Sequence, residues 1–169
     1  IPATEEAVRH IAARIRQAQD ILGQRIAIEN ASYYVASPLG TMDEATFINA
    51  VLDEADCWLH LDVNNVYVNS VNFGFDPTAF LARMPTERIV YMHMAGHDRE
   101  DDTLIVDTHG ADVIEPVWQL LDTAYALHGV APTCLERDFN IPPLAELLPE
   151  VTRITTTQAR HMAAARAVA

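Results

Sequence analysis

Helical and strand-like segments alternate along the whole sequence, which predicts an α/β domain of parallel strands joined by right-handed crossovers. Three observations predict it. Capped amphipathic stretches recur, short apolar runs lie between them, and each run is separated from the next by a helical pattern. At 169 residues the chain can bury one core, so it reads as a single domain over 1–169. No low-complexity linker or internal boundary interrupts it.

The elements follow in order. Thr4 is placed to cap a helix with Glu5 and Glu6 in its first turn, Val8, Ile11, Ile15, Ala18 and Leu22 on one face, and Gly23 at its end. "RIAIEN" reads as the first strand. Thr41 to Glu44 has the form of a capping box, and Phe47, Ile48, Val51, Leu52 and Ala55 make the apolar face of the helix that follows. "WLHLDVNN" is the second strand, with no turn glycine at its end. Pro77 opens a short helix to about Met84, and "RIVYMHMAG" is the third strand. After the polar excursion "HDREDDTLIVDTHG", Asp112 and Glu115 are placed to cap a helix to about His128. "PTCLERD" is the fourth strand, and Pro142 to Ala169 reads mostly helical.

Composition narrows the function classes. Half the residues are apolar, as in a globular protein, and 24 acidic against 11 basic residues give a formal charge of −13. That charge repels phosphate backbones and argues against nucleic-acid binding, whereas a bound cation would relieve part of it. Cys57 and Cys134 have no CxxC spacing and read as reduced core thiols of a cytoplasmic protein. No apolar run approaches the ~20 residues of a membrane helix, and the first residues lack the basic-then-apolar pattern expected of a secretory signal. "IPATEEAVRH" enters a helix almost at once without an initiator Met, which leaves open that the chain is a piece of a longer protein.

The four strand ends carry the chemistry. "AIEN", "HLDVN", "YMHMA" and "CLERD" each place a metal-type ligand, Glu29, Asp62, His93 or Glu136, directly after an apolar residue, Ile28, Leu61, Met92 or Leu135. Because side chains alternate across a strand, the apolar residues face the covering helices and the four ligands face the other way, which in a barrel is the interior. Ala27, His60, Tyr91 and Cys134 are then expected in the layer beneath. The ligands lie 33, 31 and 43 residues apart, one βα unit each for the first two and one unit plus the excursion for the third. Ligands at the carboxyl ends of consecutive parallel strands meet at one mouth in a (β/α) barrel, so "LDVNN" ends in ligands because the strand ends at a metal. Taken singly, each carboxylate also reads as a solvated loop residue or a helix cap.

Asn65, Asp107 and His109 offer an amide oxygen, a carboxylate and an imidazole, a mixed set suited to iron, manganese or zinc. His97 is expected as an outer partner that hydrogen-bonds a ligand or orients substrate. His60 reads as a hydrogen-bonded barrel-core histidine. Tyr33, Tyr34 and Tyr67 either line the pocket or pack its rim, and Asn30 and Tyr34 are candidate outer or substrate-facing residues.

"ENASYY", "LDVNNVYVN", "YMHMAGH", "DTHG" and "LERD" resemble, in order and spacing, the multinuclear non-haem iron-dependent oxidase family, whose best-known members act in methanobactin and related peptide-natural-product biosynthesis. More distantly the ligand order is similar to that of xylose-isomerase-like barrels, including endonuclease IV and sugar isomerases. The resemblance implies a triosephosphate-isomerase-type barrel with two or three iron ions. Glu29, Asp62, His93 and Glu136 match the family's central, catalytic ligand set, with Glu29 bridging, and Asn65, Asp107 and His109 match the set of a neighbouring ion. The family's two further histidines, from the barrel's first half, have no counterpart here.

The four strands would be strands five to eight of a barrel that needs ~250 residues in all. Four parallel strands leave two open edges, so pairing with another half, such as a second copy in a homodimer, or loss of the first half is expected. The implied chemistry is dioxygen-dependent oxidation of cysteine residues in a precursor peptide presented by a partner protein. Two other readings remain: a zinc- or manganese-dependent sugar isomerase or hydrolase on the same barrel, and a truncated, non-catalytic fragment.

Overall fold

The computed structural model describes residues 1–101 and 103–168. Asp102, within the polar excursion, and Ala169, where the last helix was expected to end, lie outside the described residues. Among these residues six α-helices, α1 (Glu5–Leu22), α2 (Glu44–Ala55), α3 (Val63–Phe73), α4 (Pro77–Leu81), α5 (Glu115–His128) and α6 (Leu144–Val168), are interspersed with the strands β1 (Ala27–Glu29), β2 (Trp58–Asp62), β3 (Ile89–Met94) and β6 (Thr133–Leu135). The short strands β4 (Asp98–Arg99) and β5 (Ile105–Val106) form a separate antiparallel ribbon within the excursion.

The main sheet has the order β1-β2-β3-β6, parallel throughout. This is the expected sequential α/β arrangement. Its edges, β1 and β6, are not paired to one another, so the four strands form an open sheet. Leu59, Leu61, Met92 and Met94 are fully buried under the helices, where they meet Leu52, Val66, Leu81, Val117 and Leu121. Burying such side chains contributes roughly 1.5–3 kcal/mol each before the entropy of ordering them is counted. The opposite face is open: Ala27, Glu29 and Tyr91 are exposed, and His60, His93 and Cys134 are half-buried. Cys134 therefore belongs to the open face, while Cys57 is in the core, and both are free thiols.

Local chemistry explains most element ends. The Thr4 hydroxyl accepts from the Ala7 N–H, and Gly23 closes α1 in the left-handed region at φ +67°. The expected capping box at Thr41 does not form. Asp43 caps α2 instead, accepting from Thr46 N–H at 2.8 Å, and is gripped by Arg83, so Glu44 opens the helix and turns inward to Asn69. Asp112 does not cap α5 either. Ile114 holds that position without a side-chain bond, and Asp112 binds Arg137 at 2.8 Å. The helix from Pro77 ends at Leu81 and not at Met84, after an N-cap by Asp76.

The largest departure lies at the second strand. It stops at Asp62, and "VNNVYVN" is the first two turns of α3. A run rich in valine, tyrosine and asparagine has strand propensity, but here the cap and the packing of Val63, Val66 and Val68 win. Strand turns directly into helix, and no loop residue separates them.

Gly96 explains the close approach of the chain after β3 to the end of the excursion. A Cβ at this position would lie 2.0 Å from the carbonyl oxygen of Ala111, so only glycine lets the two backbones pass.

Candidate metal centre

β1, β2, β3 and the residue after β6 bring Glu29, Asp62, His93 and Glu136 together, each offering one ligand atom with all four atoms within 4.8 Å of one another. They do not share one row of the sheet. Glu29 pairs with His60 and His60 with Tyr91, whereas Asp62 pairs with His93 and His93 with Cys134. The ligands thus climb across the sheet, Glu29 a step below the Asp62–His93 row and Glu136 a step above it. The expected flat layer of Ala27, His60, Tyr91 and Cys134 is corrected accordingly: strand stagger, as in a sheet whose strands tilt, sets the level at which side chains meet.

The three carboxylates converge on one nitrogen. His93 Nδ1 lies 3.0 Å from Glu29 Oε1, 2.9 Å from Glu136 Oε2 and 3.8 Å from Asp62 Oδ2. Burial opposes a charged imidazole there, but Glu29, Glu136 and Asp62 together outweigh it and raise the His93 pKa. His93 in turn lowers that of Glu29.

Asp62 is fully buried. One carboxylate oxygen caps α3, accepting from Asn65 N–H at 2.7 Å, and the other makes no hydrogen bond. Burial pushes its carboxyl up to about 7, against the pull of the Asn65 N–H. Asn30, also buried, holds the strand end in place. Its amide donates to Asp62 C=O at 2.9 Å and accepts from Asp62 N–H at 2.8 Å, as a neighbouring strand would. Both the nitrogen and the oxygen of its amide are thus engaged by the Asp62 backbone, so it orders the strand end.

Asp107 and His109 stand beside this cluster. His109 Nε2 is 2.7 Å from Asp107 Oδ1 and Nδ1 is 3.2 Å from Glu136 Oε2, though neither contact has hydrogen-bond geometry. The same Glu136 oxygen therefore lies against both His93 and His109 and joins the two sets. Asp107 is the main cause of the raised His109 pKa, about 9. Burial resists ionisation of Asp107, but His109, Ser32 and Asn64 together hold its carboxyl below the usual range. His109 adopts φ +51°, so the histidine and not Gly110 takes the left-handed position in "DTHG". Such a conformation costs a side chain of order 1 kcal/mol and is common where a site dictates the backbone.

Asn64, not Asn65, makes the hydrogen bond to Asp107, at 2.7 Å. Asn65 donates its amide to Asn30 C=O at 3.0 Å, and its side-chain oxygen is buried without a partner. Ser32 donates to the second Asp107 oxygen at 2.8 Å, and the Tyr34 hydroxyl accepts from Asp107 N–H at 2.9 Å. His97 hydrogen-bonds Asn64 at 2.8 Å and stacks on Tyr67. Tyr33 packs on Phe73.

Three contributors were not singled out from the sequence. Asn64 and Ser32 hold Asp107, and Asp138 forms a further ligand group with His109 and Glu136. Asp138 was legible in principle, two residues after Glu136, with Arg137 between them turned away to Asp112 and Glu150. His60 was read from the sequence as a core residue and stands nearer the ligands than that. Its Nε2 makes no hydrogen bond, its ring centroid is 3.9 Å from that of His93, and it groups with Glu29 and His93, which corrects the expectation of a hydrogen-bonded core histidine.

Carboxylates and imidazoles gathered at the carboxyl ends of parallel strands define an α/β protein with groups able to bind metal. The sequence comparisons make the class specific. A family profile described as RiPP precursor modification enzyme MbnB/TglH/ChrH matches residues 1–159, and the chain belongs to that family. It is 65% identical over 161 residues to a UPF0276 protein of Nitrosospira multiformis, covering 95% of this chain and 57% of that protein. A UPF0276 protein of Shewanella amazonensis is 58% identical over 166 residues, covering 98% and 59%, and one of Pseudomonas aeruginosa is 55% identical over 160 residues, covering 95% and 56%. The chain spans somewhat more than half the length of these curated relatives. Among the described residues no helix is long and apolar enough to cross a membrane.

Proposed function

We propose that the chain is the carboxyl-terminal half of a xylose-isomerase-like (β/α)8 barrel, and that it carries the metal centre of an oxidase that uses dioxygen to modify cysteine residues of a precursor peptide. The observation that carries this reading is the convergence of Glu29, Asp62, His93 and Glu136 at the strand ends, together with two buried oxygens, Asp62 Oδ2 and Asn65 Oδ1, that have no hydrogen-bond partner. An unsatisfied buried acceptor costs roughly 1–3 kcal/mol, and a cation satisfies it. Membership of a family of RiPP precursor modification enzymes supports an enzymatic role on a peptide.

In this reading Glu29, Asp62, His93 and Glu136 hold a central ion, and Asn65, Asp107 and His109 hold a neighbour, with Glu136 facing both. The donors are oxygen and imidazole nitrogen throughout, a set that suits iron and also accepts manganese or zinc. Iron held there would supply the one-electron and dioxygen chemistry that side chains lack. The chain's own residues fix the ligands: Asn30 positions the Asp62 backbone, while Ser32, Tyr34 and Asn64 position Asp107, with His97 behind Asn64. The exposed face beside Glu29 and Tyr91 leaves the peptide thiol a route to the cluster.

Strands beyond these four close the barrel over the free edges of β1 and β6, supplied by further sequence or by a second copy, and a partner protein presents the peptide. Light scattering at micromolar protein tests the second copy: a monomeric mass rejects it. The chemistry is tested by loading Fe(II) under argon and adding a synthetic cysteine-containing peptide. A thiolate-to-iron absorption band is expected. Preferential retention of zinc or manganese, with no band, would favour an isomerase or hydrolase.

A further inference from the structure

Asn64 is fully buried at the second position of α3, so each polar atom of its amide needs a partner. One side faces Asp107 Oδ1 at 2.7 Å and the other faces His97 Nδ1 at 2.8 Å. The Asp107 carboxylate only accepts, so the Asn64 NH2 must point at it. Turning the amide over would set two acceptor oxygens against each other. The Asn64 oxygen therefore faces His97, and because a carbonyl oxygen cannot donate, His97 Nδ1 must carry the proton. His97 is itself buried, which disfavours a second proton, and Tyr67 stacked 5.3 Å away holds its ring plane.

From these contacts we infer that Asn64 and His97 form a positioning relay for Asp107, in which the carboxylate dictates the amide orientation and the amide fixes His97 as its Nδ1–H tautomer, with Nε2 unprotonated. Ser32 holds the other Asp107 oxygen, so two side chains orient the carboxylate, while Tyr34 holds the Asp107 backbone N–H. One lone-pair direction of Asp107 Oδ1 is spent on Asn64, and the same oxygen faces His109. The importance of the relay for a cation at Asp107 and His109 rests on the metal-centre reading; the tautomer does not.

The test separates the two. Long-range proton–nitrogen correlation spectra of the metal-free, histidine-labelled protein at pH 7.5 report the tautomer, with the His97 signal assigned by its disappearance in His97→Gln. An Nδ1–H pattern is expected, and an Nε2–H pattern in the wild-type protein overturns the inference. In metal titrations, His97→Phe keeps a ring on Tyr67 but removes the donor, and is expected to weaken the second Fe(II) about tenfold while leaving the first unchanged. His97→Gln, whose amide can donate to Asn64, should recover most of that loss. Wild-type affinity for both ions in His97→Phe would overturn the positioning role. A wild-type protein that binds no second ion would overturn the metal reading of Asp107 and His109 and the relay's role toward it, leaving the tautomer to its own measurement.

Discussion

Asp62 and Asn65 share one carboxylate oxygen and no more: the Asn65 N–H donates to Asp62 Oδ1 at 2.7 Å, while Asp62 Oδ2 and the Asn65 side-chain oxygen both lie buried without hydrogen-bond partners. The contact is a helix cap, and the two remaining oxygens are what a cation would use. In the proposed metal centre, structure and binding would thus be divided between the two oxygens of one side chain.

That division can be measured. Asn caps helices about as well as Asp, so Asp62→Asn should retain the cap while losing the charge. Asp62→Ala should lose both, at a cost of about 1 kcal/mol for the cap, or ~3 °C in melting temperature for a domain of this size. The expected outcome is that both variants bind metal poorly but only the alanine variant melts well below wild type in metal-free buffer. Equal melting of the two would remove the capping role.

Asn30 offers a purely structural prediction. Its amide satisfies both the N–H and the C=O of buried Asp62. Asn30→Leu leaves those two groups unpaired and should destabilise the chain by roughly 2–4 kcal/mol, read by urea unfolding. A loss under 1 kcal/mol would mean that the strand end is held by something else.

The pH dependence follows from groups whose folded pKa is raised. Asp107 first among several causes holds His109 near 9, so its stabilising contribution is complete below about 6.5 and disappears as pH rises through 9. Burial holds Asp62 and Glu44 near 7, and their folded forms likewise lose ground as pH rises from the ordinary carboxyl range through 7. His60, His97 and His128, lowered by burial, act only below their ordinary value. Metal-free protein should therefore melt several degrees lower at pH 9.5 than at pH 7. A flat or rising melting curve over that window would refute the His109 assignment, which His109→Gln should mimic by flattening the curve.

Gly96 sets a steric limit. Gly96→Ala places a Cβ against the Ala111 carbonyl, so β3's outgoing chain and the segment behind Asp107 and His109 must separate. The expected result is a fall in stability of about 1–3 kcal/mol, with weaker binding of the second ion than of the first. Wild-type stability would show that the approach is not held as tightly as the structure has it.

The alternation of helices and strands, and the parity that places Glu29, Asp62, His93 and Glu136 on one face, were legible because both are local patterns. What the sequence hid was tertiary. The Asp62 side chain is a strand end and a helix cap at once, and only the packing of Val63 and Val66 decides that "VNNVYVN" coils. Two adjacent asparagines cannot be told apart by residue type, yet Asn64 grips Asp107 and Asn65 grips Asn30. Thr41 had the better capping pattern, but Arg83, forty residues on, holds Asp43 in that place. Stagger between strands is invisible to residue parity, and it sets His60 opposite Glu29 and Cys134 opposite His93.

The most direct measurement counts iron by elemental analysis in protein loaded with Fe(II) and desalted under argon, wild type beside His93→Ala. His93 Nδ1 stands amid three carboxylates, so the wild-type chain should retain a central ion that the variant loses. Equal iron in the two proteins, with the variant folded, would contradict the claim that these strand ends share one cation.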